Sequence, residues 1–439
     1  MVLKERVQSF TSRCSECKTR FFSITQKPGI MVKNNFSENW GLLIILWFAF
    51  FLNQSDRQIF NVTLPLIRGD IKLSDAEFGL IASSLIWTYG LLVPIAGFLG
   101  DIFPRRNILA FCICFWSIST FFTGFASSLI QFVLFLGVAT GGGEAFYAPS
   151  ALSMLGEKYK DNRAFAMSVH QTAIYAGFII SGILAGYIGE QFGWRRSFNV
   201  FGIAGVLLSV IFLWYVKSDP VSLKNENFSI VRSAKEALSV FHKPTVIMLT
   251  LAFGCMVFVN VGYLTWMPLY LVEKYHISVT YAGFSSLVYH CAGAFIGVMF
   301  GGRLADRMAK KDRKNRLVIQ AASLLGGAPF IFIMGFTDNQ IILYAALAIF
   351  GFMRGVYDSN IFASLFEVVK PSIRSSTTGF MLMFAFMMGA FAPLIMGILK
   401  PTLGLAASFS SLSVLYLLGA VFIFLGARFF FKKDQYEDR

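Results

Sequence analysis

Apolar residues run through this chain in long blocks separated by short polar turns. Blocks near 39–67, 78–100, 108–127, 129–155, 164–188, 197–217, 244–272, 280–302, 317–336, 340–366, 376–399 and 403–427 can each cross about 30 Å of hydrocarbon at 1.5 Å per helical residue. The pattern predicts an all-α membrane protein with twelve transmembrane helices. The first block is interrupted: "WGLLIILWFAFFLN" gives way to "QSDRQ", and only the flanks identify a span. In "LSDAEFG", Ser74 stands three residues before Glu77, a capping box at the entry to the second helix. The longest polar connection, 218–243, divides the chain six plus six. The expected organisation is a basic tail over 1–38, bundles over 39–217 and 244–427, the linker between them, and a second tail over 428–439.

The two halves echo one another. "GFLGDIFPRRN" (97–107) follows the second predicted helix and "GGRLADRMAKKDRK" (301–314) the eighth, with Gly97 to Asp101 spaced as Gly302 to Asp306. In the fourth and tenth, Gly137, Gly141 and Glu144 align with Gly351, Gly355 and Asp358. Two six-helix repeats meeting around a midplane site is a transporter architecture.

Charge then fixes an orientation. The net charge of +14 suggests nucleic acid at first sight, but the chain is 56% hydrophobic and only 14% charged, against about 25% in soluble domains. Of the 38 Lys and Arg, thirty fall on the tails and the loops sharing their side, and six on the opposite loops. The positive-inside rule therefore places both termini in the cytoplasm, with the bilayer as partner and no nucleic acid. Cys14 and Cys17 form a lone C-x-x-C with no second ligand pair, weak grounds for a metal site. The tail lacks the apolar core of a signal peptide, and Met31 is an alternative start. No nucleophile–base pair, metal-ligand cluster or nucleotide motif is present, so no enzyme, metal or cofactor is expected. The glycines of "GVATGGG" and the spacing Gly177, Ser181, Ala185 read as close helix packing.

With these features the chain resembles the major facilitator superfamily over nearly all of 39–427. The loop signature G-x-L-x-D-x-x-G-R-R is matched by Gly97, Leu99, Asp101, Arg105 and Arg106, with Pro104 in the usual glycine position. A weaker copy supplies Gly302, Leu304, Asp306 and Arg307, and "GWRRSF" (193–198) is similar to the family's turn before helix 6. Three stretches, "DRQIFNVTLPLIRGDIKLSDAEFGLI", "GGGEAFYAPSA" and "HQTAIYAGFIISGILAG", look most like the anion:cation symporters and the Spinster-like lipid transporters. The resemblance implies proton coupling at Asp56 and Glu144, anion binding at Arg57, and a conformational charge cluster that includes Asp101, with Arg374 as its candidate partner. One position departs: relatives carry Arg seven residues before the helix 4 Glu, and Gly137 stands there.

Ionisable residues at bilayer depth are functional candidates because burying them is costly. They are Asp56, Arg57, Glu144, His170, His290, Arg354 and Asp358. Asp56 and Arg57 lie about 100° apart on one helix and must find different partners, whereas Arg354 and Asp358 are i,i+4 and pair locally. The bland alternative makes Arg57–Glu144 and Arg354–Asp358 structural ion pairs. The sharper one makes Asp56, Glu144 and Asp358 proton carriers and Arg57 and Arg354 anion anchors, with either arginine open as the answer to Glu144. His170 and Gln171 are candidates for bonding substrate, His290 reads as structural, and Tyr89, Tyr147, Asn260, Tyr263, Tyr357 and Asn360 are candidate cavity-lining groups. The expected function is secondary transport, as a monomer, of a small organic anion such as a sugar acid, with protons or sodium. A Spinster-like lysolipid carrier and a non-transporting sensor on the same fold are the alternatives.

Overall fold

A computed structural model describes residues 36–159, 162–217 and 239–436; side chains at 36–39, 97, 98, 100–102, 163, 164, 372 and 375 are outside that description. The side chain of Asp101 in the loop signature, Cys14, Cys17, the N-terminal tail before 36 and most of the linker therefore lie outside that description, and Gly97 is described only as a helical residue. The chain divides into the units Met1–Gly41 and Leu42–Arg439, and the contacts below belong to the second.

Every described element is helical. The long helices are α1 (Phe36–Asp70), α2 (Asp75–Ile102), α3 (Arg105–Thr123), the composite α4 (Leu129–Lys158), α5 (Arg163–Phe192), α6 (Trp194–Tyr215), α7 (Pro244–Tyr275), α8 (Val279–Ala309), α9 (Asn315–Phe336), α10 (Gln340–Asp358), α11 (Arg374–Gly389) and α12 (Phe391–Leu425). By length and hydropathy alone, ten stretches of the described residues qualify as spans. The helix α1, with its polar middle, is not one of the ten, and the last stretch runs from Ser376 to Asp434. Gly404, at φ +74°, breaks that stretch in two, a conformation that costs a residue without Cβ little. The break falls inside α12, and α1 stands beside the ten as a further long helix with a polar middle.

Local chemistry explains the ends. Ser74 and Glu77 form the reciprocal capping box. At the "GWRRSF" turn Gly193 takes φ +87°, and the Trp194 indole N–H donates to Asp70 at 3.0 Å beside an Arg195–Asp70 ion pair. The Arg195 and Trp194 donors hold the Asp70 carboxyl below its ordinary range. Helix continues past 428 to Asp434, whose carboxylate accepts from Thr245 N at 2.9 Å and caps α7.

Glycine sets the distance between helices, as is usual where hydrocarbon supplies no hydrophobic drive. A Cβ at Gly137 would lie 2.0 Å from Ser84 Oγ, and one at Gly141 2.6 Å from the Leu85 carbonyl oxygen, so α4 sits hard against α2. In the second half, Cβ atoms at Gly351 and Gly355 would lie 2.1 Å and 2.2 Å from the carbonyls of His290 and Ala294 on α8. The glycines that align in sequence thus make corresponding contacts, α4 on α2 and α10 on α8. Gly182 and Gly186 of α5 meet Gly283 and Thr280 of α8 in the same manner.

Named contacts between the first six and last six helices fall in 62–90 and 175–190 on one side, and 264–295 and 386–400 on the other. At one end of this seam sits a four-charge group. Lys400 Nζ lies 3.1 Å from Asp75 and 2.8 Å from Glu273, and Arg68 pairs with both carboxylates. Beside it the Glu190 carboxylate of α5 accepts from Val279 N at 2.5 Å and from the Thr280 hydroxyl, capping α8 across the seam.

The glycine contacts predict a steep local difference. Gly297→Leu puts a Cβ 2.1 Å from the Phe352 carbonyl and is expected to abolish the monodisperse peak in fluorescence size-exclusion, since overpacking costs about 1–3 kcal/mol or more. Gly302→Ala, whose nearest neighbour is 4.0 Å away, is expected to keep that peak.

Candidate functional site

The polar run of α1 points in two directions, as consecutive helical positions require. Arg57 reaches α4, where its Nε donates to Glu144 Oε2 at 2.7 Å, and its guanidinium carbon lies 4.2 Å above the Tyr89 ring of α2. Between the two arginines left open by the sequence, Arg57 is therefore the partner of Glu144. The pair is lopsided: the Glu144 side chain is fully buried while that of Arg57 is 18% exposed. Glu144 Oε1 and Arg57 Nη2 are buried without a hydrogen-bond partner among the described residues. Asp56 turns instead toward Thr120 of α3 and is 2% exposed. It forms no ion pair among the described residues, and Thr120 and the Glu144 carboxylate are in its electrostatic surroundings.

The backbone of α4 is shaped for this. Val133–Thr140 forms wide π-helical turns immediately before Glu144, and such turns cluster at functional sites. The Phe135 carbonyl accepts from Ser119 Oγ at 2.7 Å and Thr140 Oγ1 at 3.0 Å. Gly137, in the middle of this stretch, presses on Ser84, so the position has no room for the arginine that relatives carry.

The second half holds a different arrangement. Arg354 Nη1 lies 2.9 Å from His290 Nε2, and its Nε is 3.3 Å from Asp358 Oδ2. The Arg354 and Asp358 side chains are 20% and 31% exposed. Tyr175 of α5 lies within electrostatic range of both charges, a residue that only its polarity within an apolar block could have marked. Each charged site abuts a seam between the halves: Tyr89 edges onto Phe386 of α11 at 5.5 Å, and Tyr175 onto Phe295 of α8 at 6.3 Å.

Several expected lining residues are enclosed. Tyr147 is fully buried, donates to the Leu46 carbonyl at 2.5 Å, and lies 3.0 Å from His170 Nε2. His170 in turn stacks on Phe50 with centroids 4.6 Å apart. A hydroxyl that donates to Leu46 must accept from His170, so both groups are committed to each other rather than to a ligand. Gln171 is exposed on another face of α5. Tyr263 donates to the Ser286 carbonyl, Asn360 Nδ2 to the Val356 carbonyl at 3.0 Å, and both are enclosed. Tyr357 is enclosed with its hydroxyl unpartnered, and Asn260, partly buried, keeps Oδ1 unpartnered. In the loop motifs, Arg105 pairs with Glu157 at 2.5 Å and Arg106 donates to the Leu213 carbonyl at 2.6 Å, while Asp306 pairs with Arg316 at 2.8 Å. Gly302 opens that copy, Arg307 closes the last turn of α8, and Arg374 donates to the Phe366 and Val369 carbonyls at 2.8 Å and 3.2 Å.

The sequence profile of the Major Facilitator Superfamily matches residues 46–393, most of the chain. The chain belongs to the Major Facilitator Superfamily. Among its curated relatives, the hexuronate transporter of Bacillus subtilis is 26% identical over 380 residues, 83% of this chain and 88% of the relative. The "Probable galactarate/D-glucarate transporter GudP" of the same organism is 26% identical over 351 residues, 72% and 76% of the two chains. "Protein spinster homolog 1" of Xenopus laevis is 25% identical over 403 residues, 84% and 74%. Among solved structures, an inward-facing, unoccupied bacterial homolog of the lysosomal transporter Spinster superposes with a TM-score of 0.81 at 22% identity, covering 91% of this chain and 99% of that one. A D-xylose–proton symporter superposes at 0.73 with 16% identity, covering 90% and 99%. The protein is thus an integral membrane transporter of the major facilitator fold with a small-molecule substrate, not an enzyme.

Breaking a buried ion pair from one side leaves an uncompensated charge, at about 3–5 kcal/mol. Arg57→Met is therefore expected to lower thermal stability in detergent markedly, and the double variant with Glu144→Gln to recover most of the loss. A double variant no more stable than Arg57→Met alone would show that the pair is not what holds these helices.

Proposed function

We propose that this superfamily member carries a small organic anion of the sugar-acid class together with protons, by alternating access of two bundles over 39–217 and 244–427. The observation that carries the reading is the incomplete Arg57–Glu144 pair. A guanidinium bonded to Glu144 at Nε alone, covered by Tyr89 on one face and with its side chain 18% exposed, still presents part of its surface to a substrate carboxylate. An anion there competes with Glu144 for the same cation, and a fully buried carboxylate losing its counter-charge takes up a proton. Anion and proton binding are then linked reciprocally. Asp56, buried without an ion pair, is the second proton carrier, and Asp358 the third. Arg354 gives the second half an anchor for the far end of the substrate.

The names of the sugar-acid relatives favour this class over the alternatives. With both termini cytoplasmic, as the Lys/Arg distribution favours, the seam closed by Arg68, Asp75, Glu273 and Lys400 faces outward. A lysolipid substrate is the second reading, favoured by the likeness to Spinster proteins over most of the chain.

Uptake into proteoliposomes separates them. Radiolabelled glucarate or glucuronate is expected to accumulate when the outside is more acidic, and Glu144→Gln is expected to weaken the dependence on the pH gradient markedly while still exchanging substrate. Lysolipid movement without sugar-acid uptake overturns the substrate class, and accumulation driven by a sodium gradient alone overturns the coupling ion.

A further inference from the structure

His290 falls outside the mechanism described so far, although it touches one of its principal groups. It is 1% exposed, and its ring packs against Tyr263 and Phe350, with centroids 4.9 Å from each and those two rings 5.5 Å from one another. Its backbone is pinned as well, because α10 approaches so closely that a Cβ at Gly351 would lie 2.1 Å from the His290 carbonyl. Its Nε2 lies 2.9 Å from Arg354 Nη1.

An arginine nitrogen can only donate, so Nε2 accepts and the imidazole proton resides on Nδ1. His290 is therefore a neutral partner in this contact. Nδ1 is buried without a partner among the described residues, so nothing on that side competes for the tautomer. On the opposite edge, Asp358 lies 3.3 Å from Arg354 Nε without completing a hydrogen bond there. With Nη1 fixed by an acceptor that carries no charge, the guanidinium has one carboxylate beside it rather than two. Its Nη2 edge has no bond to any described residue.

We propose that His290 is a positioning residue that fixes the Arg354 guanidinium for the carboxylate of an incoming substrate, setting affinity for the anion in the second half of the protein. The inference rests on the reading of Arg354 as an anion anchor. A neutral acceptor orients the arginine without neutralising it, which a second carboxylate would do. A buried ring packed against two aromatics holds that orientation at little further cost in side-chain entropy.

Three variants in proteoliposome uptake of glucarate test it, after uptake by the unaltered protein is established. His290→Gln places an amide oxygen near the position of Nε2, His290→Asn is too short to reach Arg354 Nη1, and His290→Leu removes the acceptor. His290→Asn and His290→Leu are expected to raise KM about tenfold, the size of one lost charge-assisted hydrogen bond, with the maximal rate per folded transporter kept within about twofold. His290→Gln is expected to restore KM to within about threefold of the unaltered protein. If His290→Leu does not fold, the comparison of Gln with Asn decides. Equal KM values for those two, or a lower rate at unchanged KM, overturn the positioning role while leaving the transport reading intact. No sugar-acid uptake by the unaltered protein overturns that reading and this one with it.

Discussion

The bond from Arg57 to Glu144 is the constraint on which the first half of the molecule turns. Neither charge can face lipid without a penalty of about 2.5–3.5 kcal/mol on insertion scales, so α1 and α4 must present them to one another. That demand reaches into the backbone. Glycines at 137 and 141 let α4 lie on α2 with carbonyl and hydroxyl neighbours inside van der Waals distance of any added Cβ. The wide turns over Val133–Thr140 set the azimuth at which Glu144 emerges. Tyr89 covers the guanidinium from α2. An ion pair buried this deeply adds little net stability, and on the proposed mechanism it is made and unmade.

The second half solves the same electrostatic problem differently. Arg354 is balanced by a partly exposed Asp358 and held by an uncharged His290. Both arginine side chains stay partly exposed, and the tyrosines within reach of them, Tyr89 and Tyr175, each meet a phenylalanine across the seam between the halves. On the proposed mechanism these rings carry substrate occupancy to the seams, where Lys400, Arg68 and Glu190 tie the halves together at one end. Closure at that end makes many polar contacts of modest worth, which is what a reversible seam requires.

Much of this was legible in the sequence, because hydropathy sums along the chain and helix periodicity is local. The spans, the capping box at Ser74, the six-plus-six echo and the divergent azimuths of Asp56 and Arg57 all follow from such local rules. What depends on rotation of one helix against another was not legible. Tyr147 and His170 have the polarity of lining residues, yet packing turns them toward each other and Phe50. At position 137 the sequence shows only a missing arginine; the structure shows a helix contact that leaves no space for one. The π-helical turns of α4 are a backbone register choice that no side-chain pattern announces. The side-chain contact of His290 with Arg354, 64 positions away, is likewise invisible in the sequence.

The claim at the centre of this account is that substrate and Glu144 share Arg57. It is tested most directly by following proton exchange with a pH-sensitive dye when glucarate is added to the purified protein in weakly buffered detergent. The account predicts net proton uptake on substrate binding, which disappears in Glu144→Gln while binding itself persists. Binding that proceeds with no proton uptake in the unaltered protein, or with uptake undiminished in Glu144→Gln, would contradict it.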